Sequence, residues 1–228
     1  MTGSAVIIGA SGGIGAAVAD QLEARGTFEA VHRLSRSGTG LDLEDEATIA
    51  AAAEAVSRGP APGLVFVATG VLHHGFEPER SWRALTAEHL LRYYRVNAVG
   101  PALVARHFLP LLPRDRRATF AALGARVGSI GDNRLGGWHS YRASKAALHM
   151  ILRTIAIEMA RTHPLAVVAG LHPGTVDTAL SAPFRRGVAS DRLFAADRSA
   201  ACLLSVVDGL SPADSGGVFA WDGARLPE

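Results

Sequence analysis

The sequence predicts an α/β fold in which one parallel sheet is doubly wound between two layers of helices. Short apolar runs alternate along the chain with longer stretches whose apolar residues recur at three- and four-residue spacing. The first run leads at once into a glycine cluster and then a helical pattern. Runs such as Leu64-Val65-Phe66-Val67-Ala68 show no polar alternation, as strands covered on both faces do not.

With 228 residues, 48% of them hydrophobic and 19% charged, the chain can bury one substantial core. Residues 1–228 show no repeat, low-complexity tract or linker, so a single domain is expected. The net charge of +2 comes from scattered arginines rather than a stripe, which argues against nucleic acid as a partner. Cys202 stands alone, which excludes an internal disulfide and fits a reducing, cytoplasmic setting. No apolar run approaches membrane-spanning length and no basic leader precedes the first one, so neither a signal peptide nor a membrane span is expected.

Ala5-Val6-Ile7-Ile8 reads as the first strand. It runs into Gly9-Ala10-Ser11-Gly12-Gly13-Ile14-Gly15, and Ala17, Val18, Leu22 and Ala24 continue at helical spacing to Gly26. Glycines let backbone amides approach a phosphate, and the helix start beyond them offers free N–H groups and a positive dipole end. A second strand, Ala30 to Ser35, ends in Ser35-Arg36-Ser37. An acidic residue there would hold the 2′-hydroxyl of NAD; an arginine between hydroxyls suits a 2′-phosphate instead and favours NADP over NAD. Asp42-Leu43 opens a turn before a helix from Glu44 to Ser57.

The strand Leu64 to Ala68 ends in Thr69-Gly70, a second close approach for a cofactor. His73-His74 lacks a third ligand at useful spacing and reads as loop rather than metal site. A long helix is expected from Trp82 to Leu112, with Asn97 a polar residue inside it that needs a partner. The strand Ala118 to Leu123, a small-residue loop from Gly124 to Gly137, a helix from Ser140 to Arg161 and a strand from Leu165 to Leu171 follow. That strand delivers Pro173-Gly174-Thr175 and Thr178 to the edge that carries Gly9. Residues 179–195 are less regular and read as a segment over the site. A helix from Asp197 to Asp208 and a strand from Val218 to Trp221 complete the pattern.

Lys145 is the only lysine, since the other 22 basic positions are arginine. Tyr141 lies four residues before it, on the same face of the helix. A neighbouring ammonium favours a phenolate and should lower the tyrosine pKa, which makes Tyr141 a candidate proton donor and acceptor.

Taken together, Gly9-xxx-Gly13-x-Gly15, Asp42-Leu43, Asn97, Tyr141-xxx-Lys145 and Pro173-Gly174 with Thr175 and Thr178 resemble the short-chain dehydrogenase/reductase family over essentially the whole chain. The stretch Gly128-Ser129-Ile130 to Lys145 is most similar to the branch of C-factor and the sniffer-type carbonyl reductases. The resemblance implies a Rossmann-type fold and an NADP-dependent oxidoreductase acting on a small-molecule carbonyl or alcohol, assembled as a homodimer or homotetramer. It further implies that Tyr141 is the acid/base, Lys145 its ribose-binding partner and Asn97 the anchor of a relay water. Gly9, Ser11, Gly12, Gly13, Ile14, Gly15, Arg36, Asp42, Leu43, Thr69, Gly70, Asn97, Tyr141, Lys145, Pro173, Gly174, Thr175 and Thr178 would then line the cofactor. Two positions depart from the family pattern. The family's Asn-Asn-Ala-Gly is Val67-Ala68-Thr69-Gly70, and its catalytic serine is Ala125, with Ser129 as a candidate substitute. A cofactor-binding sensor with little turnover therefore stays open beside the enzyme.

Overall fold

The computed structural model describes residues 3–73, 77–178 and 193–227. Six parallel strands form its central sheet: β1 (Ser4–Ile8), β2 (Ala30–Leu34), β3 (Pro62–Val67), β4 (Ala118–Leu123), β5 (Ala166–His172) and β8 (Val218–Ala220), in the spatial order β2-β1-β3-β4-β5-β8. A separate small pair joins β6 (Thr175–Val176) to β7 (Leu193–Phe194).

Alternate residues of each strand enter opposite cores. Val6, Ile8, Val65, Val67, Phe120 and Val168 pack with α3 (Glu46–Ser57), α5 (Gly100–Phe108) and α6 (His139–Met159). Ile7, Leu64, Phe66, Ala121, Val167 and Leu171 pack on the other side with α1 (Gly13–Arg25) and α7 (Ala196–Gly209). The doubly wound parallel sheet is therefore present as the apolar runs predict. The chain steps outward from β1 to β2 and returns on the other side of β1 as β3. That reversal opens a crevice beyond the carboxyl ends of β1 and β3, where ligands of such sheets bind.

The helix expected from Trp82 to Leu112 is broken. A 3₁₀ turn at Trp82–Ala84 precedes α4 (Ala87–Tyr94), a π-helical segment occupies Arg95–Val99, and a 3₁₀ turn at Leu109–Leu111 follows α5. Thr86 starts α4, its hydroxyl accepting from the His89 N–H at 3.1 Å. Pro101 has no N–H to give to the Asn97 carbonyl, so the α-helical ladder cannot run through this point. Gly100 N–H bonds back to the Arg95 carbonyl instead, five residues away. Wide turns of this kind recur at functional sites.

Two further elements escaped the sequence reading. Arg36 opens a short helix, α2 (Arg36–Thr39), whose start is capped by Ser35 Oγ accepting from Gly38 N–H at 3.0 Å. The β6–β7 pairing joins segments whose connection, like His74, lies outside the described residues, as does most of the segment 179–195. Among the described residues no helix is long and apolar enough to cross a membrane.

Phe120 is fully buried at the centre of β4. Phe120→Ala should cost about 3–5 kcal/mol of stability, read from denaturant midpoints; a loss below about 1 kcal/mol would contradict this placement.

Candidate active site

The crevice between β1 and β3 holds a cavity of about 330 Å³, lined by Gly9, Ser11, Gly12, Ser35, Arg36, Asp42, Leu43, Thr69 and Gly70 among others. The glycines of the first loop have distinct steric reasons. Gly9 has a φ of +88°, and a Cβ there would lie 2.9 Å from Thr69 Cγ2 and 3.1 Å from the Ala68 carbonyl carbon. A Cβ on Gly15 would lie 2.2 Å from the Gly9 carbonyl oxygen, so the first turn of α1 rests directly on the loop. A Cβ on Gly13 would meet Thr178 Cγ2 at 2.9 Å. Thr178 thus lies against the glycine loop, while Gly174 packs toward Trp221 and Phe194. Ile14 packs beneath the loop into the α1–α7 core.

Asp42 uses its carboxylate locally, accepting from Glu44 N–H at 3.0 Å, and Leu43 packs against Gly100 at the start of α5. At the far wall, the Thr69 hydroxyl is buried without a protein partner. A buried hydroxyl left unpaired inside a cleft is the feature a bound polar ligand completes.

A second cluster adjoins the cleft. The π-helical segment turns the fully buried Asn97 inward. Its Oδ1 accepts from Val71 N–H at 2.8 Å, and its Nδ2 donates to Val71 O at 2.9 Å and Ser144 Oγ at 3.1 Å. Asn97 therefore finds the partners its position demands. A Cβ on Gly70 would lie 3.3 Å from Asn97 Oδ1 and 3.5 Å from Lys145 Nζ, so Gly70, Asn97 and Lys145 converge at one point.

Lys145 Nζ donates to the Leu123 carbonyl at 2.8 Å, and burial pushes its pKa down to about 8. Tyr141 behaves differently from the sequence expectation. Burial, reinforced by the neighbouring Tyr93 hydroxyl, pushes its phenol above the ordinary range, and Lys145 does not offset this. The two side chains share a helix face, but removing the phenol from water outweighs the ammonium in the cofactor-free site. Tyr141 is thereby held as the protonated acid.

Ala125 packs beside Tyr141, together with Leu72 and Tyr93 and with the partly buried Val71, Val127 and Trp138. A Cβ on Gly128 would lie 2.8 Å from Lys145 Cβ, so the loop packs closely on α6. Ser129 Oγ accepts from Asp132 N–H at 3.1 Å, and the residue lines a different cavity, of about 630 Å³, on the outer side of α6.

Three contributors were not read from the sequence. Tyr93 donates to Leu72 O at 2.6 Å and meets Tyr141 edge-on at 6.0 Å, Trp138 does the same at 6.2 Å, and Ser144 supports Asn97. Ser144 stands inside the Tyr141-to-Lys145 stretch and could have been singled out; Tyr93 and Trp138 carried no such signal. Among the described residues no group of three His, Cys, Asp or Glu side chains could hold a metal ion.

Residues 4–189 match the family model for short chain dehydrogenase. The C-signal of Myxococcus xanthus is 34% identical over 138 residues, covering 60% of this chain and 78% of that protein. A Rhodococcus 1-hydroxy-2-glutathionyl-2-methyl-3-butene dehydrogenase is 28% identical over 236 residues, covering 97% of each. The fold also matches the NADPH-bound carbonyl reductase from chicken fatty liver, with a TM-score of 0.81, 22% identity and coverage of 99% and 98% of the two chains. Carbonyl reductase Sniffer of D. melanogaster follows with a TM-score of 0.78, 18% identity and full coverage of both chains. A glycine-cradled cleft at the sheet's switch point, a buried Tyr141, Lys145 and Asn97 beside it, and a family match over most of the chain lead to one conclusion: this protein is a member of the short chain dehydrogenase family of oxidoreductases.

Proposed function

We propose that the protein is an NADP-dependent carbonyl reductase, cytoplasmic and acting on a small-molecule carbonyl or, in reverse, on an alcohol. The observation that carries this reading is the buried Tyr141, packed in one cluster with Val71, which also lines a cleft whose other residues suit a dinucleotide. Gly9, Gly12 and Gly13 would cradle its pyrophosphate at the start of α1, and the unpaired Thr69 hydroxyl and Gly70 would meet its nicotinamide half. Arg36, flanked by Ser35 and Ser37, would take the 2′-phosphate. The NADPH-bound chicken carbonyl reductase and an NADP-bound dehydrogenase from Burkholderia multivorans, which share this fold, support the choice of cofactor. A bound nicotinamide supplies hydride chemistry that the side chains lack.

The chain's own residues supply orientation and a proton. Tyr141 donates its hydroxyl proton to the oxygen of the carbonyl being reduced, so no free alkoxide has to form. Lys145 would hold the ribose hydroxyls, a task for which a slender amine suits the narrow space between Gly70 and Leu123 better than a guanidinium. Asn97, clamped to Val71, fixes the loop after β3 beside Lys145. Substrate orientation falls to the apolar wall of Val71, Leu72, Tyr93, Val127 and Trp138, because Ala125 offers no hydroxyl.

Ala125 also sustains a second reading, a cofactor-binding sensor with little turnover. A turnover screen with NADPH against aldehydes, ketones and quinones separates the two readings. Within it, Tyr141→Phe should lower kcat by about 10²–10⁴-fold while NADPH affinity changes little. An active Tyr141→Phe enzyme would remove Tyr141 from the acid's role. Arg36→Ala should weaken NADPH by about tenfold, near 1.4 kcal/mol, and leave NADH almost unchanged; titrations showing equal affinity for both cofactors in the wild type would refute the NADP assignment.

Assembly as a homodimer or homotetramer belongs to the same proposal. Met150 and Ile157 on α6 and Leu91 and Val99 near α4 and α5 leave large apolar side chains exposed. Light scattering at micromolar concentration should return at least twice the chain mass of 23.8 kDa, and a monomer would refute it.

A further inference from the structure

Glu79 is a buried acid that the proposed chemistry does not use. It is 3% exposed and lies 61 residues before Ser140, in the connection between β3 and α4. Its Oε2 accepts from Ser140 N–H at 3.2 Å, its Oε1 accepts from Ser140 Oγ–H, and its own carbonyl accepts from Trp138 N–H. All three bonds go to the start of α6, within three residues of Tyr141.

That start has no cap of its own. Trp138 occupies the cap position in the left-handed region, at φ 52° and ψ 41°, with no side-chain hydrogen bond to the helix and no acidic residue in the first turn. It is the one non-glycine residue with positive φ among the described residues. Such a conformation costs of order 1–3 kcal/mol and persists only where surrounding structure imposes it. The free N–H groups and positive end of a helix favour a carboxylate, which here arrives from another segment. Burial alone would favour the neutral acid, but the hydrogen bonds from Ser140 and from its own backbone N–H, together with the nearby His89, outweigh it and hold Glu79 below the ordinary carboxylate range. His89 on α4 approaches the same carboxylate at 3.8 Å.

We propose that Glu79 is a positioning residue for Tyr141: its carboxylate stands in for the missing cap of α6 by holding Ser140, beside the turn at Trp138 that its main-chain carbonyl holds, and so sets where the Tyr141 hydroxyl enters the site. The proposal rests on Tyr141 being the acid. Trp138 transmits the constraint directly, because its ring packs edge-on against Tyr141. A helix start free to fray would displace the hydroxyl by fractions of an ångström, and misplacements near 1 Å can cost about a hundredfold in rate.

The test compares Glu79→Ala and Glu79→Gln in the full chain, with 4-nitrobenzaldehyde and NADPH as probes. Glu79→Ala should lower kcat by about tenfold or more while the NADPH Kd stays within about twofold. Glu79→Gln keeps an oxygen that accepts from Ser140 N–H, and should recover kcat to within about threefold of wild type. Amide exchange at Ser140 and Tyr141 should quicken in Glu79→Ala and not in Glu79→Gln, a readout independent of turnover. Should Glu79→Ala fail to fold, Ser140→Ala removes one donor only and should lower kcat by about two- to fivefold with unchanged NADPH Kd. Wild-type kcat and exchange in Glu79→Ala, or equal impairment of Ala and Gln variants, would overturn the proposal. So would a loss of NADPH affinity in step with kcat. The acid assignment fails separately, through an active Tyr141→Phe enzyme.

Discussion

The side-chain amide of Asn97 is the joint on which this site depends. It closes a two-way clamp on the Val71 backbone and adds a third bond to Ser144, so one buried group fixes the loop after β3, the π-helical segment and α6 relative to one another. A buried amide of this kind is costly unless every partner is present, which makes the three-way arrangement specific rather than approximate. Pro101 contributes from the other side, because it denies Asn97 an ordinary helical ladder and lets the wider turn form.

Burial sets the electrostatics of the site. Removing Tyr141 from water keeps its proton on, and the same desolvation pulls the Lys145 ammonium toward neutrality. Burial is the largest cause of both shifts.

Much of the fold was legible in the sequence because its signals are local. Apolar runs without alternation specify strands covered on both faces, and the glycine positions follow from backbone contacts such as that of Gly15 with Gly9. The lone lysine and the tyrosine one turn before it could be read in the same way, since the helix period alone puts them on one face. The break in the Trp82-to-Leu112 pattern was missed although Pro101 signals it, because the apolar spacing survives the π-helical turn; the Asn97 contacts then explain what the wide turn holds.

The sequence by itself determined the sheet's winding, the glycine loop after β1 and the placing of Tyr141 and Lys145 on one helix face, because each follows from propensity and spacing within a few residues. Tertiary structure alone decided that Ser129 Oγ turns to the Asp132 backbone, that Tyr141 is raised rather than lowered, and that Glu79 caps a helix 61 residues away. Those outcomes depend on how far a group is withdrawn from water and which distant backbone it meets. Neither quantity is encoded in local spacing, since both arise only when the loop at Gly128 packs on α6 and the connection before α4 folds across its start.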